Sequence, residues 1–197
     1  MRVKVKPLIL MAGVLMLAGC AHPIRISPEM EALPEAVHNI HVNKNVAYVM
    51  SKASKERPVT TGGGGGDKVK YQPYRDLEAG LYRVLSNVFS RVYVLETSED
   101  TMSMEEKDIV LIFKPAITTT SSSTGTFTWP PTDFMVTIAI EAVDRKGKRV
   151  WSDTVTGLGK ATYSEFKHDF ALAGKRASAA ALKALQEKLL SSALVVQ

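Results

Sequence analysis

The chain has 197 residues, of which 45% are hydrophobic, and this is enough for one domain with a substantial core. Lys and Arg number 25 against 20 Asp and Glu, a formal net charge of +5, but Arg2, Lys4 and Lys6 all lie before the first acid. Without these three the net charge is +2, so the composition does not indicate nucleic-acid binding. Cys20 is the only cysteine, which excludes a disulfide within the chain.

The N-terminus has the pattern of a secretory signal peptide. A basic region ends at Lys6, and an apolar run of about ten residues follows from Leu8 to Leu17. This run is too short to cross a bilayer as a helix, because a span needs about 20 apolar residues. We therefore predict that residues 1–19 are a signal peptide.

The residues Leu17-Ala18-Gly19-Cys20 follow the apolar run directly and resemble the lipobox of bacterial lipoproteins. The resemblance implies that the signal is cut before Cys20, that its sulfur carries a diacylglycerol and that its new amine is acylated. Ala21 follows, where an Asp would retain such a protein at the inner membrane, so the resemblance implies an outer-membrane anchor facing the periplasm. The alternative is an ordinary signal peptide in which Cys20 occurs by chance.

Residues 20–41 are predicted to form a lipidated, mostly extended tether, because they contain three prolines and no sustained hydrophobic period. Ser27 is a candidate N-cap for one short helical turn within this tether. Residues 42–197 are predicted to form a single periplasmic α+β domain.

Periodicity predicts the elements of this domain. An amphipathic helix starts at Pro73. It contains Gly80, which costs about 1 kcal/mol relative to Ala in a helix interior, so we expect Gly80 to lie close to the sheet. The predicted strands are 45–51, 91–96, 108–115, 134–144 and 149–157, the last two joined as a hairpin.

The C-terminal region predicts a long helix. Thr162 and Glu165 have the spacing of a capping box, and Asp169 competes as the N-cap. Leucines at 182, 185 and 189 form one stripe, and alanines at 173, 177, 181 and 184 form a small-residue stripe that would let the helix lie close on a sheet. The predicted fold is α+β, a two-layer sandwich in the order β-α-β-β-β-α, with a mixed sheet and two helices on one face.

Residues 52–72 contain five consecutive glycines, Gly62 to Gly66. The run is followed by Asp67-Lys68-Val69, so it has neither the phosphate-loop nor the dinucleotide-binding spacing. We predict a flexible Gly-rich loop with little order of its own, and the alternative is an anion held near the start of the following helix.

The histidines form no predicted site. His38 and His41 are three residues apart, but their stretch does not have a helical pattern. His168 stands beside Asp169, yet the chain contains no G-x-S-x-G nucleophile motif. We predict no catalytic residue, no metal and no cofactor.

The acidic segment 97–108 is predicted to be a solvated surface loop, with a weak cation site as the alternative. Met102 and Met104 within it are predicted to fill gaps in the packing.

The connection between two strands at 118–133 is rich in Thr and Ser and contains Phe127 and Trp129. An aromatic pair on a loop is a candidate contact for a partner protein. The alternative is that Trp129 folds back over the end of the sheet.

Several features together resemble the YajG-type outer-membrane lipoproteins, and more broadly the envelope domains related to the N-terminal domain of TolB. They are the segment 26–34, the helix after a long loop, the hairpin IEAVDRKGKRVW at 140–151 and the Ala- and Leu-rich last helix. The glycine tract departs from that family. The resemblance implies a non-catalytic role in the cell envelope.

The sequence therefore predicts a non-catalytic outer-membrane lipoprotein whose periplasmic domain binds or scaffolds another envelope component. Its predicted partners are the membrane, through Cys20, and an envelope protein, but not nucleic acid. The alternative is an auxiliary lipoprotein subunit of a transport or secretion machine. A third hypothesis is a periplasmic hydrolase that depends on His168.

Overall fold

The computed structural model describes residues 21–37, 41–124 and 130–195. The strands are β1 (Ala21–Pro23), β2 (Val42–Val49), β3 (Val59–Gly62), β4 (Lys68–Tyr71), β5 (Phe89–Leu95), β6 (Ile109–Ser122), β7 (Asp133–Val143) and β8 (Arg149–Lys160). A five-stranded sheet has the order β5-β2-β6-β7-β8, and a three-stranded sheet has the order β1-β4-β3. The helices are α1 (Lys52–Glu56), α2 (Pro73–Ser86), α3 (Thr101–Glu106), α4 (Tyr163–Phe166) and α5 (Leu172–Leu190).

The larger sheet is mixed. β2 runs parallel to β5 and β6, whereas β6, β7 and β8 form an antiparallel meander. The predicted α+β sandwich with a mixed sheet is confirmed. The predicted order β-α-β-β-β-α contains four strands, whereas the larger sheet has five. The difference arises because both strands of the β7-β8 hairpin join β2, β5 and β6 in one sheet. The three-stranded sheet has no counterpart in the prediction.

The two long helices pack on one face of the larger sheet, as predicted. The alanine stripe of α5 meets glycines on β8. A Cβ built on Gly159 would lie 2.0 Å from the carbonyl oxygen of Ala173. The helix and strand backbones approach this closely because neither carries a large side chain at the contact.

Gly80 marks a close approach between helices. A Cβ built there would lie 2.4 Å from Cδ1 of Leu182 on α5. The prediction that Gly80 faces the sheet is therefore wrong, because the neighbour of α2 on this side is α5.

The segment predicted as an acidic surface loop contains α3, which covers part of the other face of the larger sheet. The Asp100 side chain caps α3 by accepting a hydrogen bond from the backbone N–H of Ser103 at 3.0 Å. Met104 is 5% exposed and fills a gap, as predicted, whereas Met102 is 80% exposed. The other buried residues of this small core are Ala47, Leu95, Ile109, Ile112 and Val143.

The N-terminal segment is part of the folded body, which corrects the prediction of a tether over residues 20–41. Ala21–Pro23 pairs in parallel with β4. Ile26 is fully buried, and its backbone N–H donates to Oδ2 of Asp76 on α2 at 3.1 Å. The predicted helical turn is a 3-10 turn at Met30–Ala32, with Glu29 rather than Ser27 at its N-cap position. Strand pairing, the burial of Ile26 and the hydrogen bond to Asp76 together dock this segment.

The predicted Gly-rich loop at 52–72 is also corrected, because it contains α1 and the β3-β4 hairpin. The glycines form the hairpin turn. Gly63 N–H donates to the carbonyl of Asp67 at 2.9 Å, and Asp67 N–H donates to the carbonyl of Gly64 at 3.1 Å. Gly65 and Gly66 have φ values of 65° and 87°, which glycine adopts without strain. The run thus closes a turn that other residues would strain.

The capping box at Thr162 and Glu165 is confirmed, but it starts the short helix α4. The long helix begins later, at Leu172, and Asp169 Oδ1 accepts a hydrogen bond from Ala171 N–H at 3.0 Å just before it.

Candidate functional surface

The β3-β4 hairpin is fastened to the far end of β6 by hydroxyl groups. Tyr71 Oη lies 2.7 Å from Thr119 Oγ1, and Thr61 Oγ1 lies 2.6 Å from Ser121 Oγ. Ser121 Oγ also donates to the carbonyl of Gly62 at 2.5 Å. Burial raises the pKa of Tyr71, so its hydroxyl stays protonated and remains available to this network. The network fixes the hairpin against the same face of the sheet that the helices cover.

One end of the molecule collects several chain segments, and we call it the Ala21 end. In β1, Ala21 lies beside Lys68, the first residue after the glycine turn. The turn lies next to Ser121 near the end of β6, as described above. Ser122 pairs with Asp133, and Asp133 pairs with Lys160. The Ala21 end is thus defined by Ala21, the turn at 63–67, Ser122, Asp133, Lys160 and the segment 161–170 that follows β8.

Helix α4 is held at the Ala21 end by its own contacts. Ala161 N–H donates to the carbonyl of Thr132 at 2.9 Å. Arg176 reaches from α5 to the carbonyl of Lys160 and to Oε1 of Glu165, both at 2.7 Å. Hydrogen bonds from Arg176 and then Thr162 lower the pKa of Glu165 to about 2. The segment is therefore a fixed part of the surface.

The outward face of β6, β7 and β8 carries small and polar side chains, and the two long helices lie on its opposite face. Its central row is Thr118, Thr137 and Thr156, paired across the three strands. Leu158 is 66% exposed beside Met135 and contributes to a shallow groove of about 310 Å³. The remaining outward residues are Lys114, Ala116, Thr120, Ser122, Asp133, Ala139, Glu141, Ser152, Thr154 and Lys160. We call these residues together the open face.

Strand β8 lies at the edge of the larger sheet, next to β7 alone. It is 12 residues long, and its outward residues are exposed. A long edge strand presents backbone N–H and C=O groups to which another strand can pair. The open face and this edge form one continuous surface.

The predicted site residues fall mainly outside the described part of the chain. This holds for the predicted lipidation site Cys20, for the candidate contacts Phe127 and Trp129, and for His38, so their roles stay predictions. His41 and His168 are described and exposed, and they lie on different segments. The open face was not predicted, although the alternation of Val136, Ile138 and Ile140 with small and polar residues indicated a strand with one outward side.

Within residues 21–37, 41–124 and 130–195, no group of three or more His, Cys, Asp or Glu side chains could hold a metal ion. The same described residues contain no helix long and apolar enough to cross a membrane.

Comparisons with known proteins add only a likeness of fold. No family model and no curated protein matches the sequence. Protein XCC0632 from Xanthomonas campestris, assigned to DUF330, is 13% identical with a TM-score of 0.45, over 87% of this chain and 91% of that one. A homolog of the neuraminyllactose-binding hemagglutinin from Helicobacter pylori is 9% identical with a TM-score of 0.43, over 87% of this chain and 89% of that one.

A PelC dodecamer from Paraburkholderia phytofirmans is 13% identical with a TM-score of 0.39, over 71% of this chain and 89% of that one. All three TM-scores are below 0.5, so we draw no functional inference from these structures.

Proposed function

We propose that this protein is a non-catalytic outer-membrane lipoprotein of a bacterial envelope, whose periplasmic domain binds or scaffolds another envelope component. The lipobox-like residues Leu17 to Cys20 support the anchor. The open face supports the binding role, and it is the observation on which this proposal depends.

The open face has the properties of a docking surface for another protein. The threonines of its central row are short, so a partner can approach the backbone closely there, and Leu158 provides an exposed apolar group at the groove. Two ion pairs lie toward opposite ends of its strands. They join Lys114 with Glu141 at 3.9 Å and Lys160 with Asp133 at 3.7 Å. Protein interfaces outside obligate dimers combine apolar and polar surface in this way.

Photocrosslinking in cells tests the binding role. A photoreactive amino acid at Thr156 lies in the centre of the open face, and one at Lys183 lies on the exposed side of α5 as the matched control. We expect a discrete crosslinked product from Thr156 and none from Lys183. Equal products from both positions, or none from Thr156, would contradict the proposed role of the open face.

Fractionation tests the anchor separately. The variant Cys20→Ala should leave the outer-membrane fraction and should incorporate no labelled palmitate, because no thiol remains for lipidation. If Cys20→Ala still fractionated with outer membranes, this result would contradict the proposal that lipidated Cys20 is the anchor.

A further inference from the structure

The folded domain begins immediately after the proposed lipid anchor. Ala21, the residue after Cys20, is already paired with Lys68 in the three-stranded sheet. The next backbone contact, Ile24 N–H to the carbonyl of Lys70 at 3.0 Å, holds the segment as it leaves β1. Ile26 then enters the core. No stretch of free chain separates the anchor from the body.

This short connection limits where the domain can lie. A free tether of about 20 residues could span about 70 Å, since an extended chain covers at most about 3.6 Å per residue. Consecutive Cα atoms are only about 3.8 Å apart, so Cys20 must lie next to Ala21. Acyl chains on Cys20 would hold the Ala21 end near the lipid headgroups.

The Ala21 end has side chains that suit such a surface. Tyr163 is 70% exposed and Phe170 is 46% exposed, and both lie on the segment that follows β8. Exposed Lys68, Lys160 and Lys167 stand at the same end. Aromatic rings and lysines are the side chains favoured at the boundary between headgroups and acyl chains.

The acids at this end are each paired with a basic group. Asp67 lies 3.8 Å from His22 and Asp133 lies 3.7 Å from Lys160. Glu165 pairs with Arg176 at 2.7 Å and Asp169 pairs with Lys175 at 3.0 Å. This pairing reduces the repulsion that unpaired carboxylates would meet at an anionic lipid surface.

We propose that the Ala21 end lies flat against the membrane to which Cys20 is anchored, with Tyr163 and Phe170 at the headgroup level. The inference rests on the proposed lipidation. It adds an orientation, in which the glycine turn and α4 face the lipid and the open face is roughly perpendicular to the membrane surface. The occupant of this surface is a bilayer containing anionic lipid.

The test uses the full lipoprotein, purified from membranes and reconstituted in vesicles of phosphatidylethanolamine and phosphatidylglycerol. A fluorophore is placed on Ser164→Cys in α4 or on Ser191→Cys at the far end of α5, both exposed positions. Acylated Cys20 does not react with the label. With spin-labelled headgroups in the vesicles, we expect loss of fluorescence at Ser164 and none at Ser191.

Matched tyrosine variants test the aromatic contact. Tyr163→Ser should reduce the loss of fluorescence at Ser164, whereas Tyr82→Ser should not, because Tyr82 is 47% exposed on α2 away from this end. Equal quenching at the two labelled positions would overturn the orientation. So would efficient disulfide crosslinking between two copies through unlabelled Ser164→Cys in the vesicles, which would assign this end to a second copy.

Mass spectrometry of the N-terminal peptide distinguishes the two failures. If Cys20 carries no acyl groups, both the proposed function and the orientation are overturned. If Cys20 is acylated and the protein is bound to vesicles, but the two labels are quenched equally, only the orientation is overturned.

Discussion

The backbone of Ala177 occupies the space where a side chain on Gly157 would be. A Cβ built on Gly157 would lie 2.1 Å from the carbonyl oxygen of Ala177 and 2.2 Å from the backbone nitrogen of Ala181. These atoms belong to the helix backbone, which cannot rotate out of the way as a side chain can. The distance between α5 and β8 is thus set by a glycine on the strand as much as by the alanines on the helix.

Gly157→Ala should destabilise the protein more than an ordinary surface change. The added methyl must push α5 away from the sheet, and overpacking of this kind costs about 1–3 kcal/mol or more. Gly62→Ala is the matched control, because its Cβ would make an ordinary contact at 3.5 Å with the carbonyl of Ser121. Urea unfolding measures both, and equal free energies of unfolding would contradict the close contact.

Removing the Asp76 carboxylate should release the N-terminal segment. Asp76 is 4% exposed, and without its carboxylate Ile26 N–H has no acceptor there, a loss of about 1–3 kcal/mol. We expect Asp76→Ala to be cleaved by trypsin after Arg25 faster than the wild type. Unchanged cleavage would show that burial of Ile26 alone holds the segment.

Asp76 should also leave a signature in the pH dependence of stability. Burial raises the pKa of Asp76 above its ordinary value of 3.8, so the folded state binds this proton more tightly than the unfolded state. The stabilisation is complete below the unfolded pKa and is lost as pH rises through the folded pKa. Relative to Asp76→Asn, the wild type should lose stability as pH rises from about 3.8. Urea midpoints at several pH values measure this, and the opposite slope would contradict it.

Tyr71→Phe should loosen the glycine hairpin. The change removes the hydroxyl that links β4 to Thr119 on β6, and a hydrogen bond of this kind contributes about 0.5–1.5 kcal/mol. Amide hydrogen exchange across residues 59–71 should become faster. Tyr82→Phe is the control, since Tyr82 lies on the exposed side of α2. Exchange of the wild-type hairpin amides at the rate of an unfolded peptide would contradict the ordered hairpin.

Glu165→Gln should change acid stability in the opposite direction from Asp76. Hydrogen bonds from Arg176 and Thr162 lower the pKa of Glu165 from 4.5 to about 2. Its contribution is therefore present above pH 4.5 and is lost as pH falls toward 2. The difference between wild type and Glu165→Gln should shrink over this range in urea unfolding. Parallel curves for the two proteins would rule out the contact with Arg176 in solution.

Local patterns along the chain were enough to predict most regular elements. The period of Leu77, Leu81 and Leu85 predicted α2, whereas the capping box of Thr162 and Glu165 was predicted for the long helix and starts α4 instead. The strands of the larger sheet followed from runs of β-branched and aromatic residues, and β7 also from alternation, because every second side chain of that strand faces the core. The candidate residues Cys20, Phe127 and Trp129 came from motif and composition, and they stay predictions.

Long-range contacts decided the rest. The segment 21–37 has no period, and its docking depends on Asp76 and on Gly174, where a Cβ would lie 2.4 Å from Ile26. The glycine run looked like a free loop, but its order depends on Thr119 and Ser121, which lie about 50 residues or more further along the chain.

The sequence by itself determined the five strands of the larger sheet and the two long helices, because side-chain period and composition act within a few residues. Only the tertiary structure decided that Ala21 already belongs to the folded body, which glycine meets which helix, and which face of the sheet stays open. These outcomes depend on pairs of residues far apart in the chain, and no local pattern records them.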